Sequence, residues 1–170
     1  MNKRLKRLIL PHGGILKNLM YKDVPVKKLS NKLKKIKTIK LSTLEFSDLI
    51  MIGIGAFSPL EGFMSEYDYN SVVDKGRLAD SVLWPIPVTI NISEKKAKDI
   101  KIGNDIALIN PDSYEIVGML TVKDIYKSDK KREANSNYRA KKEKIEQNFF
   151  SVSRNFGTRG HLPAIICAGF

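Results

Sequence analysis

Apolar and polar positions follow a helical period over residues 43–52, where Leu44, Phe46, Leu49, Ile50 and Ile52 cover much of the circumference. A largely buried helix is expected there. Its start is marked by Ser42-Thr43-Leu44-Glu45, an S-x-x-E capping box in which the Ser42 hydroxyl and the Glu45 carboxylate reciprocally satisfy free backbone N–H groups. Gly53 and Gly55 end it. Ser58-Pro59-Leu60-Glu61-Gly62 reads as a turn, with Pro59 fixing one dihedral and Gly62 free to adopt a positive φ. Ser65 to Asp68 offers a second cap, for a helix running to about Lys75, and Gly76 is its natural stop.

Beyond Gly76 the period changes. Val88, Ile90 and Ile92 alternate with Thr89 and Asn91, which predicts a half-buried strand whose beginning Pro85 and Pro87 confine to a sheet edge or strand entry. Ser93 caps a short helix over residues 94–99, and the chain turns at residues 102–105. Residues 105–110 and 115–124 read as two strands joined by Pro111-Asp112-Ser113-Tyr114, a loop of hairpin length. Residues 27–40 fit a loosely held strand or a short helix. Short strands with interspersed helices and no βαβ rhythm predict an α+β fold built on a small mixed barrel. Residues 127–147 are strongly charged and are expected to form an exposed helix or arm, and residues 149–170 regain apolar side chains without a clear period. The expected organisation is a domain over residues 1–126 and a charged, poorly packed C-terminal extension over residues 127–170.

A chain of 170 residues suits one domain, and its longest apolar stretch, residues 49–57, is broken by Gly53 and Gly55, far short of the roughly 20 residues that span a bilayer. The basic start MNKRLKRLIL meets Pro11 too soon for a secretory signal, and Cys167 stands alone, so a reducing, cytoplasmic setting is expected. The formal charge of +12 raises nucleic acid as a partner. The surplus, however, sits in residues 3–40 and 127–144 and is mostly lysine, which favours a solvated surface.

Certain blocks carry more information than the periods do. GIGAFSPLEGFM at residues 53–64 is followed by Asp68-Tyr69, by Arg77-Leu78-Ala79-Asp80 and by Trp84-Pro85-Ile86-Pro87-Val88, and Pro11-His12-Gly13-Gly14 precedes them all. In order and spacing, from residue 10 to about residue 133, the set closely resembles the amino-terminal domain of ATP sulfurylases (sulfate adenylyltransferases). That resemblance implies a PUA-like barrel decorated with helices, followed in the family by a larger nucleotidyltransferase domain. There ATP, with magnesium, and sulfate would give adenylyl sulfate and pyrophosphate. The family's Q-x-R-N-P-x-H-x-x-H and G-R-D-H segments, which gather the groups such chemistry needs, have no counterpart in this chain. No catalytic, cofactor-binding or metal residue is therefore assigned, and the chain alone is expected to be inactive.

Residues 155–163 are similar to the family's linker into that domain, but Arg159 replaces its acidic residue and Leu162 separates His161 from Pro163. A truncated or frame-shifted reading frame, a split enzyme and an excised domain are all compatible with that ending. The residues singled out as an interdomain or structural motif are Phe57, Ser58, Pro59, Leu60, Gly62, Phe63, Met64, Trp84 and Pro85. Core packing and docking of a catalytic domain, in cis or as a separate chain, both suit them, and a homo-oligomer is an open possibility. His12 is a candidate phosphate or metal contact, although two histidines without a clustered partner disfavour zinc. Gly53-x-Gly55 follows a helix and lacks a third glycine, which disfavours a dinucleotide loop. The rival from a different class is a stand-alone RNA-binding module, since the PUA barrel serves RNA recognition in other families; no aromatic and basic stacking platform accompanies it here.

Overall fold

The structure is a computed structural model that describes residues 9–20, 36–137 and 150–153. In chain order the elements are β1 (Lys37–Lys40), α1 (Thr43–Gly53), α2 (Glu66–Lys75), β2 (Ile90–Ile92), α3 (Glu94–Asp99), β3 (Asp105–Ile109), β4 (Ile116–Thr121), β5 (Asp124–Lys127), α4 (Lys130–Asn137) and β6 (Phe150–Ser153).

The caps read from the sequence are present. Ser42 Oγ accepts from the Glu45 amide at 3.3 Å while Glu45 Oε2 accepts from the Ser42 amide at 2.8 Å, so both halves of the box are made. Ser65 caps α2, Gly76 closes it in the left-handed region at φ 63°, and Ser93 caps α3. Two local expectations need correction. Leu44 is 72% exposed, so α1 buries one side, through Glu45, Leu49 and Ile52, instead of most of its circumference. Gly62 is absent from the glycines with positive φ; the turn is made instead with a cis Ser58–Pro59 peptide and with Gly55 at φ 81°.

β1 pairs in parallel with β3, and β3 pairs antiparallel with β4, giving one three-stranded sheet of order β1-β3-β4. The other sheet, of order β2-β6-β5, is antiparallel throughout. Among the described residues the pairings form two sheets and do not close a barrel. The strand expected over residues 115–124 is split into β4 and β5, because Val122 leaves the ladder to exchange hydrogen bonds with the Gly103 and Asn104 turn. The expected strand over residues 88–92 is shorter than its alternation, and Thr89, placed on its polar side, is buried. Central β3 is covered on both faces, with Ile106, Ala107 and Leu108 all buried, which is why its sequence is a run and not an alternation.

The core joins Ile39 of β1, Leu49 and Ile52 of α1, Tyr69 and Val72 of α2, Ile90 of β2, Leu108 of β3 and Leu120 of β4. Past residue 126, where the sequence places a domain edge, α4 and β6 continue the fold. The Tyr69 hydroxyl donates to Glu133 Oε1 at 2.8 Å and accepts from the Asp129 amide at 2.8 Å, tying α4 to α2. Burial, with the Glu133 carboxylate beside it, holds that phenol well above its ordinary value. Arg132 adds hydrogen bonds to Asp74 and Asn70. Of the extension expected over residues 127–170, residues 138–149 and 154–170 lie outside the described residues.

Candidate functional site

Three of the sequence blocks meet around one turn. Helix α1 stops at Gly53, Gly55 adopts a positive φ, and residues 16–17 pass close over it. A β-carbon there would stand 2.9 Å from Leu16 Cδ1 and 3.0 Å from the Lys17 carbonyl oxygen. Leu19 then donates its amide to the Gly53 carbonyl at 2.8 Å. The Ser58 hydroxyl is fully buried and fully bonded, donating to the Gly55 carbonyl at 2.6 Å and accepting from the Lys17 amide at 2.9 Å. Gly13 lies so close to the Pro59 ring that a β-carbon would approach it to 2.8 Å.

His12 completes the clamp. Its Nε2 lies 2.7 Å from the Leu83 carbonyl oxygen, which only accepts, so Nε2 carries the proton and donates; the ring also sits 5.9 Å from that of Trp84. Phe57 also meets Trp84, edge-on at 5.6 Å. The P-H-G-G block is thereby a strap across the F-S-P-L turn and the W-P block. His12 has a structural task, and the described residues hold no group of three His, Cys, Asp or Glu that could bind a metal ion.

The motif residues divide by burial. Leu60, Phe63 and Met64 are interior, and Met64 is tied down by its amide to the Val88 carbonyl at 2.9 Å and by the Tyr126 hydroxyl donating to its own carbonyl at 3.0 Å. Trp84 is nearly covered, Phe57 and Pro59 are half-buried, and Pro85 is exposed. Exposed Leu83 and Ile86 flank the tryptophan. The surface left for contact is thus Phe57, Pro59, Leu83, Pro85 and Ile86, whereas Phe63 and Met64 belong to the core.

Next to the turn is a cleft of about 260 Å³, lined by residues 59–65, Asp68 and residues 78–80. Asp68 builds it: Oδ1 accepts from the Ala79 amide at 3.1 Å and Oδ2 from the Ser65 hydroxyl at 3.0 Å, joining the cap of α2 to the R-L-A-D block. Asp80 Oδ1 accepts from the Val82 amide at 3.1 Å. Glu61, Asp68 and Asp80 are the cleft's charged lining residues, the first of them held in an ion pair with Lys17. The sequence showed Asp68 as a cap residue; its reach to Ala79 left no signal, because that bond depends on the fold of the loop after α2.

Comparison with known proteins follows the same outline. A family model described as a PUA-like domain matches residues 9–153. A sulfate adenylyltransferase of Desulforamulus reducens is 37% identical over 131 residues, covering 77% of this chain and 34% of that protein. One of Entamoeba histolytica is 38% identical over 180 residues, covering 96% and 42%, and one of Phaeosphaeria nodorum is 44% identical over 128 residues, covering 74% and 22%. The chain thus spans about a fifth to two fifths of the length of these relatives. Among solved structures, a chain described as a hexameric APS kinase from Thiobacillus denitrificans aligns with TM-score 0.63 at 25% identity, over 87% of this chain and 26% of that one. The RNA-binding reading gains no support from these relatives. With a family model matched over residues 9–153, the chain belongs to the PUA-like domain family and is similar to the corresponding part of sulfate adenylyltransferases.

Proposed function

We propose that the chain is the non-catalytic, amino-terminal PUA-like part of a sulfate adenylyltransferase, a brace for the portion that converts ATP and sulfate to adenylyl sulfate and pyrophosphate. The observation that carries this reading is the coincidence of a family match over residues 9–153 with relatives of that name, of which the chain spans only a part. ATP and magnesium are accordingly assigned to the remaining portion, joined in cis or supplied as a second chain.

Phe57, Pro59, Leu83, Pro85 and Ile86 are the docking surface on this reading. They are the motif side chains and their neighbours that the core leaves uncovered. A cytoplasmic setting and a homo-oligomer complete the proposal; the structural neighbour is itself described as hexameric. Among the described residues no helix is long and apolar enough to cross a membrane.

The test is direct. Purified chain incubated with ATP, magnesium and sulfate is expected to release no pyrophosphate above the blank. Sustained turnover would show that catalysis resides in these 170 residues and end the proposal.

A further inference from the structure

We infer that the outward face of α1, formed by Leu44, Asp48 and Met51, docks a basic amphipathic helix of another protein. That partner is separate from the catalytic portion proposed above, so failure of either reading leaves the other standing.

α1 is apolar on more than its core side. Leu44, Asp48 and Met51 follow one another at steps of four and three residues, which places them in one stripe along the helix. Leu44 is 72% exposed and Met51 37%. Ile54 and Leu16, both exposed, lie beyond the last turn, Leu16 with its Cδ1 close over Gly55. A solvated helix face is polar, whereas exposed apolar side chains gathered on one face mark a contact surface.

Asp48 selects the occupant. It is half-buried in the middle of the stripe, and among the described residues it has neither a hydrogen bond nor an ion pair. The neighbouring charge that acts on it is Glu45, of its own sign, and α1 carries no Lys or Arg. A carboxylate so placed gains from a cation brought by a partner whose apolar side chains exclude water around the pair. A second copy meeting this face through its own α1 would bring another carboxylate instead of a cation, and an anionic lipid surface would repel Asp48. A helix with apolar side chains one turn apart and an Arg or Lys between them matches both the stripe and its charge.

The test uses an amphipathic peptide of Leu and Lys, about 18 residues or five helical turns long, titrated into the isotope-labelled full chain. A Leu/Glu peptide of the same pattern is its counterpart. On a chain of net charge +12, unspecific attraction favours the Leu/Glu peptide, so preference for the cationic one reports Asp48. Amide shifts are expected at residues 44–54 and 16–17. Affinity for the Leu/Lys peptide should fall about fivefold in Asp48→Asn and in Leu44→Ser. It should be unchanged in Ile102→Ser, which alters an exposed apolar side chain elsewhere. Asp48→Asn removes an unpaired, half-buried charge and Leu44 is exposed, so loss of binding in these variants is not loss of fold. No shifts at these residues, equal affinity for the two peptides, or affinity unchanged in Asp48→Asn overturns the inference. So do stronger shifts of the same residues with vesicles of phosphatidylcholine and phosphatidylglycerol, or shifts that grow with the concentration of the chain alone, since the occupant would then be a lipid surface or a second copy.

Discussion

Glu45 serves two elements at once. One oxygen accepts from the Ser42 amide and hydroxyl, and the other from the Asn91 amide at 2.7 Å, so a helix-capping residue also pins β2 to α1. Removing it strands two backbone donors in a poorly solvated place. Glu45→Ala is expected to lower stability by about 2–4 kcal/mol in urea denaturation, while Glu45→Gln, which retains an acceptor, loses less. One turn along, Asp48 behaves oppositely. Burial first, and the Glu45 charge second, push its carboxyl up to about 6 from an unfolded value near 3.8. The folded state holds the proton more tightly, so this group's contribution is fully present below pH 4 and is lost as pH rises through 6. Asp48→Asn is therefore expected to stabilise the protein at pH 7, by about 1 kcal/mol once partial solvent screening is allowed for, and to change nothing at pH 4. Equal urea midpoints for the two proteins at pH 7 would contradict this.

Among the elements, the ends matter more than the middles. Gly76 and Gly55 both take positive φ after a helix, yet they differ in what surrounds them. A β-carbon at Gly76 meets nothing within 4 Å, whereas at Gly55 it collides with Leu16 and the Lys17 backbone. Gly76→Ala is expected to cost about 1 kcal/mol, the conformational penalty alone. Gly55→Ala should cost more, about 2–3 kcal/mol, and should loosen the strap of residues 12–17, seen as faster amide exchange at Lys17 and Leu19. If both variants melt at the same temperature, the close approach of the strap is not what Gly55 provides.

For the molecule as a whole, the question is which parts of the F-S-P-L-E-G-F-M turn hold the core and which face outward. Phe63 is 1% exposed, so Phe63→Ala is expected to cost about 3–5 kcal/mol of stability. Phe57 is half-buried against Trp84, and its truncation should cost less, while weakening association with a supplied catalytic portion in a pull-down. A Phe57→Ala chain that binds that portion unchanged would remove this ring from the proposed docking surface.

Much of the local structure was legible in the residues themselves. Ser42 with Glu45, Ser65 with Asp68, Gly76 and Ser93 announced three helices, because a cap is satisfied by atoms three residues away and needs no distant partner. The family blocks likewise announced which residues belong together. Their meeting in space did not follow from order along the chain: Gly13 against Pro59, His12 bonded to Leu83 and Asp68 bonded to Ala79 arise only when loops are folded over one another. The exposure of Leu44 and the burial of Thr89 were misread for the same reason, since a hydrophobic period says that a face exists, not whether a neighbour arrives to cover it. What the sequence determined by itself was the set of helix caps satisfied within three residues; which side chains became core, clamp or cleft was decided by tertiary packing, whose contacts join residues from eleven to more than seventy positions apart.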